Sequence, residues 1–328
     1  MYPLVGPTVA LPAFRQMATN NTLDLPAAVG RSIPAIIATV LYSFASLLFI
    51  IFVIRSAYSI SLYGRISKEM QKNGWSISSG DSVIQAHEET TYEASYLFFK
   101  IGAARFHLVE QTLYNGIPAY KIVARIDSYT GVPFVNFHGF YETYADAKTL
   151  MCLYTFNRRL EKRHTLVTRY DFDLIKKEIL WSQRVGGELV RSDVVPLDTA
   201  YTDGLGFYYL VREACQKAGG VRKDLRIPIV SDTIISTVDL VLNETREPCK
   251  VEAYDYAIDS YKMSGHINFT GTFGVRGNFT GWISTDSSSV PLKGNLQVIL
   301  GSIVVQLKDI KRKGWIPPRS EASSPSSP

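Results

Sequence analysis

An uncharged, mostly apolar run of 22 residues, Ile33 to Ile54, constrains this chain more than any other feature. A helix rises about 1.5 Å per residue, so a run of this length can cross a bilayer core of about 30 Å. It therefore predicts a membrane segment ahead of whatever folds behind it. Pro34 agrees with a helix beginning there, because a first-turn N–H has no intrahelical partner to lose. Two fates fit the run. It can be retained as an anchor, or it can be an export signal with Arg31 before it and a cleavage position after Ala57-Tyr58-Ser59. Its length favours the anchor. Arg55, Arg65, Lys68 and Lys72 outnumber Arg15 and Arg31, a balance that by itself would hold the following domain in the cytoplasm.

Charge is thin beyond this run. Setting aside Arg15, Arg31, Arg55 and Asp24 leaves 32 basic against 29 acidic residues after Ser59, which argues against nucleic acid as a partner. Tyr (19) and Phe (16) are abundant, as suits strands with packed faces. The three cysteines, Cys152, Cys215 and Cys249, allow one bridge at most and match no zinc spacing.

From Tyr92 onward apolar residues alternate with polar ones at the period of a half-buried strand. Arg105 to Tyr114, Asn115-Gly116, then Ile117 to Ile126 reads as a hairpin whose two turn residues need φ > 0. Counting outward from Tyr114 opposite Ile117 sets Glu110 against Lys121, Val109 against Ile122 and Leu108 against Val123. A meander follows through Val135–Tyr144, Thr149–Phe156, Thr165–Phe172, Glu178–Val185 and, past Gly186-Gly187, Glu188–Val194. A helix is predicted over Asp198–Lys217, ended by Gly219-Gly220. Strands resume at Arg226 and run to Leu307, with Leu296–Leu307 read as one strand. The expected organisation is an N-terminal extension (1–32), a transmembrane helix or signal anchor (33–54), a juxtamembrane stalk (55–91), a β-rich domain (92–315) and a disordered Ser/Pro tail (316–328). The expected fold is mainly β: a strongly curved antiparallel sheet, barrel or half-barrel, with one internal helix.

The C-terminal stretch carries a signature in Gly281-Trp282-Ile283-Ser284-Thr285-Asp286, Val290-Pro291-Leu292 and Leu300-Gly301-Ser302-Ile303 with Leu307. With Tyr141–Asp146, Asp171-Phe172-Asp173 and Asp203-Gly204-Leu205 upstream, it resembles a bacterial exported family catalogued as domain of unknown function 3108. The resemblance implies a β-rich cell-envelope protein with no established activity, its domain in the periplasm or outside, anchored or secreted after cleavage. The residues have their own physical reading. Trp282 ends a strand, Asp286 organises a polar turn through backbone N–H groups, Pro291 opens the next strand, and Gly301 marks a bulge or close backbone contact.

No catalytic or cofactor fingerprint occurs: GxSxG, HExxH, CxxC and GxxxxGK[ST] are all missing from the sequence. No cofactor or metal is predicted. His87, His107, His138, His164 and His266 are scattered, and His87-Glu88-Glu89 reads as a solvated stretch. Asp171 and Asp173 share one strand face, a geometry that could pair carboxylates for acid/base work, although a turn or solvent-facing pair is the favoured reading. Arg158-Arg159, Lys162 and Arg163, with Lys176-Lys177 beyond, could meet anionic headgroups or polysaccharide. A rolled sheet also makes a lumen. Val109, Leu113, Tyr120, Ile122 and Ile126, beside His107 and Gln111, give one hairpin face the mixture that ligand cavities use. The leading expectation is thus a membrane-tethered envelope protein holding a lipid or lipid-linked glycan in that lumen. The alternatives are an assembly factor with a packed core and, third, a polymer hydrolase using Asp171 and Asp173.

Overall fold

The computed structural model describes residues 45–50, 83–132, 136–161, 163–271, 274–299 and 301–321. The chain divides into two compact units, Met1–Arg55 and Ser56–Pro328. In the first, residues 45–50 are helical, and Leu47 to Ile50 are exposed. The rest of the Ile33–Ile54 run lies outside the described residues. Among the described residues no helix is long and apolar enough to cross a membrane.

The described residues of the second unit form fourteen strands and one long helix. The strands are β1 (Glu89–Tyr96), β2 (Phe99–Tyr114), β3 (Ile117–Ser128), β4 (His138–Asp146), β5 (Cys152–Glu161), β6 (His164–Asp173), β7 (Glu178–Val185) and β8 (Glu188–Pro196). Helix α1 (Gly204–Ala218) follows, then β9 (Lys223–Ser231), β10 (Ile234–Cys249), β11 (Ile258–Ile267), β12 (Gly277–Ser284), β13 (Pro291–Gln297) and β14 (Ser302–Lys311). They form one antiparallel sheet in the order β8-β7-β6-β5-β4-β3-β2-β1-β14-β13-β12-β11-β10-β9. Sequence neighbours pair everywhere except β8 and β9, which form the two edges, and the first and last strands meet in the middle.

The sheet must roll. Helix α1 packs against β3, β4, β9 and β10, although β4 and β10 stand eight strands apart. In a flat sheet that separation would be roughly 38 Å at about 4.8 Å per strand. A helix is only about 10 Å across. Strands from both halves therefore curl around α1, and the far edge returns to the near half: Arg159 of β5 pairs with Asp232 in the β9–β10 turn, and the Tyr170 hydroxyl of β6 donates to the Asp232 carbonyl at 2.7 Å. The roll does not close, because β8 and β9 share no ladder. Instead Thr202 covers the edge of β9, donating to the Pro228 carbonyl at 3.1 Å and accepting from Val230 N–H at 2.8 Å.

Turn chemistry sets the hairpins. Asn115 (φ 49°) and Gly116 (φ 80°) make the β2–β3 turn, and Gly186 and Gly187 the β7–β8 turn, all with the positive φ that two-residue turns demand. The register from Tyr114–Ile117 to Glu110–Lys121 is as the turn dictates. Beyond it a bulge at Val109 brings Leu108, not Val109, opposite Ile122 and sets His107 against Val123. An extra residue flips every later side chain on its strand. Lys121, meanwhile, forms its ion pair with Glu142 of β4 at 3.4 Å.

Three further boundaries differ from the sequence reading. The helix starts at Gly204 rather than Asp198, because Asp203 caps it and Thr202 is held by β9. Leu296–Leu307 is two strands, since Gly301 (φ 87°) turns the chain between β13 and β14. The stalk and tail are shorter than expected: Val83, Ile84 and Glu88 are buried in the domain, and Asp259 N–H and Ser320 N–H bond Pro318 O and Ala257 O, adding an Ile258–Arg319 bridge. The main core surrounds α1, where Leu205, Tyr209 and Leu210 meet Leu108, Ile122, Ile227 and Leu240. A second core gathers Tyr170, Ile179 and Leu153 beneath Val230, and a third gathers Tyr92, Ile258, Leu292 and Leu307.

Burial separates two residues that the alternation placed on one face. Ile122→Ala should cost about 2–5 kcal/mol in urea unfolding followed by tryptophan fluorescence, as large-to-small core changes do. Leu113→Ala, at a side chain 68% exposed, should stay within about 0.5 kcal/mol.

Candidate functional site

Helix α1 carries or caps the largest buried polar clusters of the domain. Asp203 lies just before it in extended conformation, and its Oδ1 accepts the Gly206 N–H at 2.8 Å. Gly219 (φ 55°) ends it in the left-handed conformation. Gly206 allows a close approach, since a Cβ there would fall 2.2 Å from Thr202 Oγ1.

Arg212 projects from this helix and is wholly shielded from solvent, at 0% exposure. Its Nη1 and Nη2 both donate to the Glu88 carboxylate, the latter at 3.1 Å. Nη2 also donates to the carbonyls of Ser288 (3.1 Å) and Val83 (3.2 Å). Arg312, following β14, adds a second cation: its Nη1 donates to Glu88 and to the Val83 carbonyl (2.9 Å), and its Nε to Ser288 Oγ (3.1 Å). Burial pushes the Glu88 carboxyl up, but Arg212 and Arg312 outweigh it and hold the group below the usual carboxylate range. Burial likewise disfavours the Arg212 cation, and Glu88 more than offsets it. Around the guanidinium stand the rings of Tyr208 and Tyr209, each 5.4 Å from its carbon. Tyr208 stacks on Phe106 at 4.7 Å, and its hydroxyl meets that of Tyr92 at 2.9 Å.

A second polar pocket sits at the other end of α1. Asp203 Oδ2 accepts from Thr143 of β4 and from Thr155 of β5, the latter at 2.9 Å. Burial outweighs these bonds and raises the Asp203 pKa. Burial also pushes the free thiols up, Cys215 to about 12 and Cys249 to about 11, with Cys152 well above its ordinary value. Such groups are poor nucleophiles. No cluster of three or more His, Cys, Asp or Glu able to hold a metal occurs among the described residues. Chemically, both pockets hold charge in place.

The cavity-lining residues expected from sequence do not gather around a lumen. Tyr120 and Ile122 pack into the main core beneath α1, Val109 is the bulge residue, Ile126 is half-buried and Leu113 points to solvent. The bulge and the helix are the physical reasons. Of the signature, Asp286 Oδ2 accepts Ser288 N–H at 3.0 Å and Trp315 Nε1–H at 3.1 Å, and Tyr92 donates to the Pro291 carbonyl at 2.9 Å. Trp282 lies within β12, its Nε1 donating to Glu247 at 2.5 Å, and Gly301 is a turn residue facing the Tyr96 ring. Asp171 is held by Arg169 and by the Tyr114 hydroxyl, whereas Asp173 accepts N–H bonds from Ile175 and Lys176 in the β6–β7 turn. They form no paired carboxylate. Glu88 is the largest surprise, buried where the sequence suggested solvent. A signal for it existed: Arg212 falls four residues after Tyr208 and three after Tyr209, on the apolar face of the helix, where a cation demands a buried partner.

These features define a class: an open antiparallel sheet rolled about one helix, barrel-like but unclosed. The chain belongs to the family of proteins of unknown function DUF3108, whose model matches residues 91–308. No curated protein matches the sequence. Among solved structures, a β-barrel-like protein of domain of unknown function DUF1849 from Brucella abortus is similar at 7% identity and a TM-score of 0.46, over 68% of this chain and 96% of that one. A candidate exported protein with a YmcC-like fold from Bacteroides fragilis matches at 10% identity and a TM-score of 0.27, over 70% and 97%. Likenesses this distant carry no argument about activity.

Removing one side of the buried ion cluster leaves a charge without its full complement. Arg212→Met should therefore cost about 3–5 kcal/mol in chemical denaturation. Because the Glu88 pKa is lowered, its contribution is present above the ordinary carboxylate range and is lost as pH falls through the native value. For Asp203 the sign reverses. Its raised pKa makes stability fall as pH rises through the native value, so Asp203→Asn, which keeps a capping oxygen, should flatten that decline in unfolding curves taken across pH. Asp203→Ala should cost about 0.5–2 kcal/mol through the lost cap.

Proposed function

We propose that this protein is a non-enzymatic scaffold of the bacterial cell envelope, tethered to a membrane by Ile33–Ile54, whose β domain works through its surface. One observation carries the reading: the space that a ligand would need inside the rolled sheet holds α1, with Leu205, Tyr209 and Leu210 buried among side chains of β2, β3, β9 and β10. A lipid carrier would have to expel this helix and with it the Arg212–Glu88 cluster. The apolar run and the exposed Leu47–Ile50 side chains support the tether. Membership of DUF3108 is consistent with the reading and adds no activity.

Native mass spectrometry of the full chain after gentle membrane extraction should return the polypeptide mass alone, and a hydrophobic probe should gain no fluorescence. A stoichiometric lipid, displaced by the probe, would replace the scaffold with a carrier. Location has its own test. Glu188 is exposed in the β7–β8 turn while all three native cysteines are buried, so Glu188→Cys offers one reactive thiol. A membrane-impermeant reagent should label it on intact cells with a permeabilised outer layer.

A further inference from the structure

Because consecutive strands pair antiparallel on either side of α1 and β1 pairs antiparallel with β14, the turns after β1, β3, β5, β7, β9, β11 and β13 all lie at one end of the sheet. The Arg159–Asp232 pair, which joins β5 to the β9–β10 turn, fits this placement. One turn at this end departs from ordinary turn chemistry. Where the two-residue turns Asn115-Gly116, Gly186-Gly187 and Asp232-Thr233 use glycine or polar residues, the β1–β2 turn uses Leu97-Phe98, with Leu97 at φ 54°. Leu97, Phe98 and Phe99 are 72%, 82% and 59% exposed, and the two phenylalanine rings stand 4.5 Å apart. Folding gains nothing from a strained, solvated apolar turn. Departures of this kind from local preference concentrate at functional places.

The neighbouring turn extends the patch. β1 pairs with β14 up to Tyr96–Ile303, so the β13–β14 turn stands beside the Leu97-Phe98 tip and presents Ile299, which is 58% exposed. Cations share this end: Arg163 at the β5–β6 turn, Arg158 on β5 and Arg276 before β12 are exposed. Of the acids there, Asp232 is paired with Arg159, Asp127 is bonded to His138 and Glu252 to Lys100 beside Phe99, while Glu188 is exposed. Lys176 and Lys177 belong to the opposite end.

We propose that this end of the sheet docks on an anionic lipid bilayer, setting Leu97, Phe98, Phe99 and Ile299 into the interfacial layer with Arg158, Arg163 and Arg276 over the headgroups. The proposal rests on the membrane-tether reading above. Projecting apolar tips suit a bilayer, which receives them without a matching pocket, and aromatic side chains favour its interface. Cations near the surface are drawn to anionic lipid.

The test uses the full chain in vesicles of phosphatidylcholine with or without phosphatidylglycerol. An environment-sensitive fluorophore is placed by Phe98→Cys or Ile299→Cys, with Lys176→Cys at the other end as control. Doxyl-lipid quenching should be several-fold stronger at 98 and 299 than at 176, and should grow with phosphatidylglycerol. Equal quenching at all positions, quenching indifferent to anionic lipid, or a shielded label at 98 that lipid does not quench overturns the proposal, the last in favour of a protein contact. Vesicle flotation separates the two ideas: flotation without quenching at 98 sinks the docking surface alone, and loss of flotation sinks the tether with it.

Discussion

A guanidinium without access to water binds this fold together. Arg212 of α1 reaches Glu88 at the start of the sheet, Val83 ahead of it and Ser288 in the turn between β12 and β13, while Arg312 at the sheet's last strand joins the same carboxylate. Four segments remote in sequence thus meet at one point. Buried ions are expensive to desolvate, and such a cluster is tolerable only when every donor and acceptor is occupied. Arg212 meets that condition with bonds to Glu88 and two main-chain carbonyls. The cluster specifies where the helix sits more than it adds net stability.

The helix in turn explains why the sheet stops short of a barrel. With the helix inside the roll, the β9–β10 turn returns against β5 and β6, leaving β7 and β8 beyond that contact. Unpaired edges invite association with other chains. Thr202 blunts the β9 edge through main-chain bonds. The β8 edge carries Glu188, Arg191 and Asp193 and a bulge at Val190, features that discourage uncontrolled pairing.

The two ends of the sheet have different chemistry. One holds the buried ion cluster and the long connections that surround α1. At the other, aromatic tips and cations stand in solvent. The alternation of the meander puts a filled interior and these exposed tips on one framework.

The sequence by itself determined the strand meander, its Asn-Gly and Gly-Gly turns, the single helix, the family and the apolar run, because periodicity, turn residues and local motifs are written in neighbouring positions. The hairpin register was legible only as far as Glu110, since a bulge has no signature in a run of apolar residues. The tertiary structure alone decided that Glu88 is buried, that Leu113 is not, that Pro318 and Ser320 join the domain, and that a helix occupies the interior. Each of these depends on which distant segments share a low-dielectric space, and one-dimensional spacing does not encode that.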